Sequence, residues 1–345
     1  MKVISLFSGA GGLDLGFERA GFDIAFANEY DKTIWETYRA NFPTTFLETS
    51  SITAIKESNL PKKADGLIGG PPCQSWSEAG AHRGIEDERG QLFFEYIRIL
   101  KHVKPKFFLA ENVSGILSSL HRPAFENIVK KFSRIGYSVN YKLVNAADYG
   151  VPQDRERVIV VGIRNDLDRT FDFPLPSCSK RTLHDAIGGM PNPKPNSVLS
   201  SAIKSVPLSN HEYLVGGFSS MFMSRNRVRL WNQQSFTIQA GARHAPLHPS
   251  APKMEKICAD VFRFVPGKEG SYRRLSVREC ARIQTFPDSH QFLYARIIDG
   301  YKMIGNAVPV ELAFQLAKQI RSCLEGRKVT TPISFQQLKR KESSC

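Results

Sequence analysis

A cysteine is a useful nucleophile when it is partly thiolate and reachable. The run Gly69-Gly70-Pro71-Pro72-Cys73-Gln74-Ser75-Trp76-Ser77 meets the second condition through its backbone. The apolar residues before it (Ala64, Leu67, Ile68) read as the end of a buried strand. The Gly-Gly-Pro-Pro exit then fixes the chain direction and presents Cys73 at the strand's carboxyl edge, where open α/β sheets place their chemistry. A lone cysteine is more often a small buried hydrophobe. The stiff turn and the polar residues beyond it favour a function for this one.

A second chemical group follows. Lys106 to Ala110 reads as a strand ending in Glu111-Asn112-Val113, so Glu111 also stands at a carboxyl edge, a position suited to a general acid. The bland alternative is a solvated strand-end glutamate. Upstream, the strand Val3 to Phe7 runs into Ser8-Gly9-Ala10-Gly11-Gly12 and a helix carrying Leu13, Phe17 and Ala20 on one face. Such a turn lets a ligand approach the backbone. It is not the dinucleotide fingerprint, because Asp14 stands where the third glycine belongs, which argues against a nicotinamide dehydrogenase. The strand Ile24 to Ala27 ends in Asn28-Glu29-Tyr30-Asp31, and an acid at that tip is placed to receive ribose hydroxyls. The expected cofactor is nucleoside-like and need not carry a pyrophosphate.

These residues need a frame. Helical phasing through Phe93, Ile97 and Leu100, and again from Phe125 to Ile135, alternates with strands over about 165 residues, the pattern of a doubly wound α/β sheet. Val139 to Val144 and Val158 to Ile163 are joined by a segment too short for a crossover helix, which predicts an antiparallel hairpin on an otherwise parallel sheet. From about Phe173 prolines interrupt the pattern and mark a domain boundary. The expected division is 1–173 with 291–326 as a discontinuous catalytic and cofactor domain, 174–290 as a smaller irregular domain, and 327–345 as a mobile basic tail. Within the irregular part, Phe236 to Ala240 reads as β, and Arg225, Arg227, Arg229 and Arg243 suit guanine or phosphate contacts. Ser276 with Glu279 forms a capping-box signature, and the stripe Ala313, Leu316, Ala317, Ile320 and Leu324 predicts a helix that needs the first domain as its apolar host.

Composition agrees with this. The 345 residues carry 47 Lys and Arg against 33 Asp and Glu, a net charge of +14, which makes nucleic acid the first partner to test. The six cysteines are scattered without a Cys-x-x-Cys pair, and Val215 occupies the place of a second ligand four residues after His211, so neither disulfides nor a metal are expected. No signal peptide or membrane span is legible, and the expected location is the cytoplasm.

Phe7 to Gly12, Asn28 to Asp31, Gly70 to Ser77, Glu111 to Val113, Gln153 to Val158, Arg274 to Asp288 and Gly305 to Val310, in this order, resemble the cytosine-C5 DNA methyltransferase family. Met223 to Arg229 and His211 to Tyr213 extend the similarity to its GGCC-specific, HaeIII-type members. The resemblance implies a Rossmann-like S-adenosylmethionine-dependent fold with a target-recognition domain at 174–290. It implies Cys73 as nucleophile at cytosine C6, Glu111 as the group that protonates or hydrogen-bonds N3, and Arg155 and Arg157 holding the assembly, with Arg157 at the base's O2. The cofactor set it implies is Phe7, Gly9, Gly11, Leu13, Glu29, Tyr30, Leu92 and Asn306. Ser51, before Ile52, stands where the family usually has Asp on the adenine amino group. Arg225, Arg227, Arg229, Thr237 and Arg243 are the implied DNA contacts. The implied partner is duplex DNA, bound by a monomer that flips the target cytosine out; a cognate restriction endonuclease is expected by analogy, without a stable complex. Two other readings stand beside this one: a tRNA cytosine methyltransferase, and a silent DNA-binding homologue that would need none of Cys73, Glu111 and the two arginines.

Overall fold

The computed structural model describes residues 1–72, 88–197 and 208–327. Cys73, the polar residues after it, and the tail from residue 328 lie outside the described residues.

The sheet is assembled from β1 (Lys2–Leu6), α1 (Gly12–Arg19), β2 (Asp23–Asn28), α2 (Trp35–Asn41), β3 (Phe46–Glu48), β4 (Gly66–Gly69), α3 (Glu88–Val103), β5 (Phe107–Val113), α4 (Arg122–Arg134), β6 (Tyr137–Asn145) and β7 (Glu156–Arg164). Its strand order is β3-β2-β1-β4-β5-β7-β6. The first five strands pair in parallel, while β7 runs antiparallel to both β5 and β6, closing the expected hairpin.

Two adjacent aromatics on β5 show why both faces are covered, since successive strand residues point to opposite sides. Phe107 stacks on Phe17 of α1 with ring centroids 6.2 Å apart, whereas Phe108 meets Phe132 of α4 at 4.3 Å. Each ring lies against a glycine on the neighbouring strand. Gly66 pairs with Phe107 and Gly162 with Phe108, and a Cβ on either would come within about 2 Å of the ring. Glycine at those two positions is therefore a packing requirement.

The chain divides into two compact units. The first comprises Met1–Asn145, Glu156–Pro176 and the described chain from Leu312; the second comprises Ala146–Arg155 and Ser177–Glu311. The second has little regular structure: α5 (Leu183–Ile187), β8 (Lys194–Asn196), β9 (Glu212–Leu214), β10 (Glu255–Cys258), β11 (Val261–Arg263), α6 (Val277–Ile283) and α7 (Ile297–Asn306). Ser276 caps α6 as its sequence predicts: its hydroxyl accepts from Glu279 N at 3.1 Å and its own N–H donates to Glu279 Oε2 at 2.7 Å. Helix α8 (Val310–Leu324) belongs from Leu312 to the first unit, where Phe314 lies under the Arg19 guanidinium and Arg321 donates to Ala20 O at 2.8 Å.

Phe236 to Ala240 is not a strand. Side chains take its backbone groups instead: Ile238 N–H donates to Gln153 Oε1 at 3.0 Å and Ile238 O accepts from Arg155 at 2.9 Å. Buried arginines do the same elsewhere in this unit. Arg274 spans the carbonyls of Leu214, Gly216 and Gly217, and Arg278 those of Ser209, Pro287 and His290.

Asp14, the residue that breaks the dinucleotide fingerprint, is fully buried and ties three elements of the first unit together. Its carboxylate accepts from Ser5 Oγ and from the Tyr38 hydroxyl, each at 2.6 Å. Burial outweighs those bonds and pushes its pKa from 3.8 up to about 6. The folded state thus holds this proton more tightly than the unfolded chain, so the associated stability is present below pH 4 and lost as pH rises through 6. At ~1.4 kcal/mol per pH unit the effect reaches about 3 kcal/mol. Urea unfolding of Asp14→Asn against the parent should therefore shift by about 1–3 kcal/mol in the variant's favour between pH 4 and pH 7; a difference independent of pH would contradict the assignment.

Candidate active site

Register fixes where the chemistry sits. Leu6, the last residue of β1, pairs with Asn28 of β2 and with Gly69 of β4, and Gly69 pairs with Ala110 of β5. The residues one step further, Phe7, Glu29, Gly70 and Glu111, therefore fall in a row along one carboxyl edge, spanning three strand spacings, about 14 Å.

At one end of the row is a cradle. Phe7, Gly9 and Gly11 all have positive φ (54°, 56° and 81°), which turns their backbone toward the edge. Nothing lies within 4 Å of where a Cβ on Gly9 would point, whereas one on Gly11 would strike the Phe42 ring. The Glu29 carboxylate accepts from Gly9 N–H at 2.8 Å and from Asp31 N–H at 2.7 Å, which holds it at the strand tip. Tyr30 beside it is 72% exposed, an aromatic face open to a base. Leu13 and Ile52 are buried in the core and Leu92 packs half-buried against it. Ser51 caps a short 3-10 turn, its hydroxyl 2.8 Å from Thr53 Oγ1, and Glu48 is committed to Ser50 N–H at 2.9 Å. Asn28 fixes this strand exit by donating to the carbonyls of Glu48 and Ser50, a role its sequence position did not disclose.

At the other end is Glu111. Strand β5 continues past it to Val113, three residues beyond the expected end at Ala110, because Glu111 to Val113 pair with Ile159 to Arg157 on β7. Glu111 Oε1 lies 2.8 Å from Arg157 Nε, with both side chains nearly buried. A Cβ on Gly70 would lie 3.1 Å from Glu111 Oε2, and Asn112 donates to Pro71 O at 3.2 Å. The turn that leads into Cys73 is thus seated on Glu111 and its neighbour.

Of the two motif arginines, only Arg157 meets Glu111. Arg155 is buried in the second unit and donates to the carbonyls of Ile238, Gly305 and Ala307 at 2.9–3.1 Å. Its guanidinium is engaged with backbone carbonyls around Ile238 and Gly305. Gln153, unremarked by spacing, bridges Ile238 and Gln284. Asn306 ends α7 and is exposed in the second unit. The expected DNA contacts separate in the same way. Arg225 and Arg243 are exposed. Arg227 is 9% exposed and donates to Phe222 O and Met221 O; Arg229 pairs with Asp154 at 3.2 Å over the Phe236 ring; Thr237 donates to Asp154 O. Among the described residues no cluster of His, Cys, Asp and Glu could hold a metal, and no helix is long and apolar enough to cross a membrane. The buried Cys280 thiol is pushed well above its usual pKa and is not a nucleophile.

The profile of the family described as C-5 cytosine-specific DNA methylase matches residues 1–322. The Type II methyltransferase M.NgoPII of Neisseria gonorrhoeae is 56% identical over 94% of this chain and 96% of its own length. M.MthTI of Methanothermobacter thermautotrophicus, also a Type II methyltransferase, is 54% identical over 94% of this chain and 98% of its own. A crystal structure from Escherichia coli, described as a prophage-encoded DNA modification methyltransferase, superposes with a TM-score of 0.72 at 25% identity, covering 94% of this chain and 99% of that one.

The cradle makes one expectation measurable. Charge-assisted hydrogen bonds are worth about 1.5–3 kcal/mol each. Glu29→Gln should weaken binding of S-adenosylhomocysteine by about tenfold or more in titration calorimetry, and an unchanged Kd would remove Glu29 from the ligand site.

Proposed function

We propose a finer reading from one premise: the chain belongs to the C-5 cytosine-specific DNA methylase family. It is an S-adenosylmethionine-dependent DNA cytosine-5 methyltransferase of the Type II restriction-modification kind. The finer reading is that it methylates the inner cytosine of GGCC, flipped from the duplex, through a transient bond from Cys73, with the irregular region at 174–290 reading the target. The observation that carries it is Glu111, in contact with Arg157 and with the glycine turn that leads into Cys73. GGCC as the target is supported by the likeness of Met223 to Arg229 and His211 to Tyr213 to HaeIII-type enzymes.

The chemistry proceeds from the chain's own groups. The Cys73 thiolate adds to C6 of the cytosine, and the electron pair displaced from the C5–C6 bond makes C5 nucleophilic. Glu111 in its protonated form donates to N3, so that charge does not accumulate on the ring, while Arg157 fixes the Glu111 carboxyl and offers donors to O2. Arg155 acts from behind, holding the segments around Ile238 and Gly305. Bound S-adenosylmethionine supplies an electrophilic methyl group, and the open Gly9 position with the anchored Glu29 carboxylate fits its nucleoside; Phe7, Gly11, Leu13, Tyr30, Ser51, Ile52, Leu92 and Asn306 complete that set on resemblance. Loss of the C5 proton to water, with return of the N3 proton to Glu111, then expels the Cys73 thiolate by β-elimination. Extrusion of the base costs a few kcal/mol in unstacking, offset by phosphate contacts from the basic chain.

The test is methyl transfer from labelled donor to GGCC duplexes, scrambled duplexes and tRNA. Only the first should be labelled, and cellular DNA should become resistant to GGCC-cutting endonucleases. Cys73→Ala should abolish both labelling and the denaturant-resistant adduct with 5-fluorocytosine duplexes. Glu111→Gln should lower kcat by about 10²–10⁴. An adduct that survives Cys73→Ala, or labelling indifferent to sequence, would overturn the mechanism or the specificity respectively.

A further inference from the structure

Two buried histidines of the second unit have their ring nitrogens engaged, while the exposed His184 lies edge-on to the Trp231 ring. The two ring nitrogens of His211 meet Ser276 Oγ at 2.9 Å and Pro191 O at 2.6 Å. Those of His248 meet Ser250 Oγ at 2.7 Å and lie 3.7 Å from Glu279. His244 is different. It ends the 3-10 turn Ala242–His244, half-buried, and neither ring nitrogen makes a hydrogen bond among the described residues.

Its surroundings are cationic. The charged groups that act on it are Arg227 and Arg225, from the segment after Phe222, and Arg274, from the run before α6; none is a carboxylate. Arg243 adjoins it on the same turn and acts on Arg274. Two of these arginines are committed inward. Arg227 holds the carbonyls of Met221 and Phe222, and Arg274 holds those of Leu214, Gly216 and Gly217. Arg225 and Arg243 are exposed, and their side chains make no hydrogen bond among the described residues. A patch with three uncommitted donors and no acid in the set is arranged for an anion supplied from outside.

We propose that His244 contacts duplex DNA beside Arg225 and Arg243, and gains a proton when the DNA phosphates arrive. This rests on the reading of the irregular region as the target-recognition part. The physical reason is reciprocal. In the free protein, burial first and then Arg227, Arg274 and Arg225 hold the imidazole below its ordinary pKa, so at neutral pH it is uncharged. Phosphates entering the patch cancel the arginine field and favour the imidazolium. By linkage, a group whose affinity for protons rises on binding makes binding tighter as pH falls, by up to about tenfold per pH unit. The arginines cannot do this, since they stay charged throughout.

The experiment measures binding of a GGCC duplex by fluorescence anisotropy from pH 8.5 to pH 6 at fixed salt, with calorimetry in two buffers of different ionisation enthalpy to count protons. The parent protein should take up a fraction of a proton that grows toward pH 6. His244→Gln, which keeps hydrogen-bonding atoms but cannot become charged, should match the parent at pH 8.5 and fall behind it severalfold at pH 6, with reduced proton uptake. Equal uptake in both proteins, or a deficit of the same size at every pH, would overturn the proposal; the second result would mean a structural role. Arg225→Ala and Arg243→Ala separate the premise from the inference. If both bind as the parent does, the underlying reading of this surface falls and His244 with it. If they weaken binding while His244→Gln tracks the parent at every pH, the inference alone fails.

Discussion

The strand register at the carboxyl edge is the constraint on which the remaining chemistry depends. Hydrogen bonds between β2, β1, β4 and β5 bring Asn28, Leu6, Gly69 and Ala110 level, and the next residue of each strand has no freedom to lie elsewhere. A shift of one residue in any strand would turn its side chains to the opposite face. Phe107 and Phe108 oppose such a shift on β5, because each ring fits only against its own facing glycine. The packing that makes the core also sets how far the glycine cradle lies from Glu111.

The second unit solves a different problem. With few strands and short helices, its loops expose many carbonyls that a sheet would have paired, and buried carbonyls without donors are costly. Arg155, Arg274 and Arg278 answer this with planar forks that each reach two or three carbonyls. Part of the net charge of +14 is therefore internal scaffold, and counting arginines overstates the DNA-facing surface. The same rigid fork that suits guanine also suits backbone, which is why Arg225 and Arg227, two residues apart, take opposite orientations.

The first unit was legible because its signals are periodic and local: apolar strands, glycine turns, and a hairpin forced by a short connection. The Ser276 cap was legible for the same reason. What escaped was set by long-range partners. Phe236 to Ala240 has β-type residues, yet Gln153 and Arg155, more than 80 residues earlier, claim its backbone. Glu111 was placed at a strand end, but its contact with Arg157 depends on β7 pairing alongside β5, which no local pattern states. The division between inward and outward arginines is likewise invisible in one dimension.

Asp14 shows how a departure from a motif becomes a structural device. A third glycine would let helix and strand approach closely and leave the helix start open to a pyrophosphate. The carboxylate instead lies buried and joins Ser5 of β1 to Tyr38 of α2 through the start of α1. That arrangement fixes the turn while placing negative charge where a pyrophosphate would need positive potential. A buried carboxylate at this position is compatible with a cofactor that lacks that group. The desolvation that raises its pKa is the energetic cost of the choice.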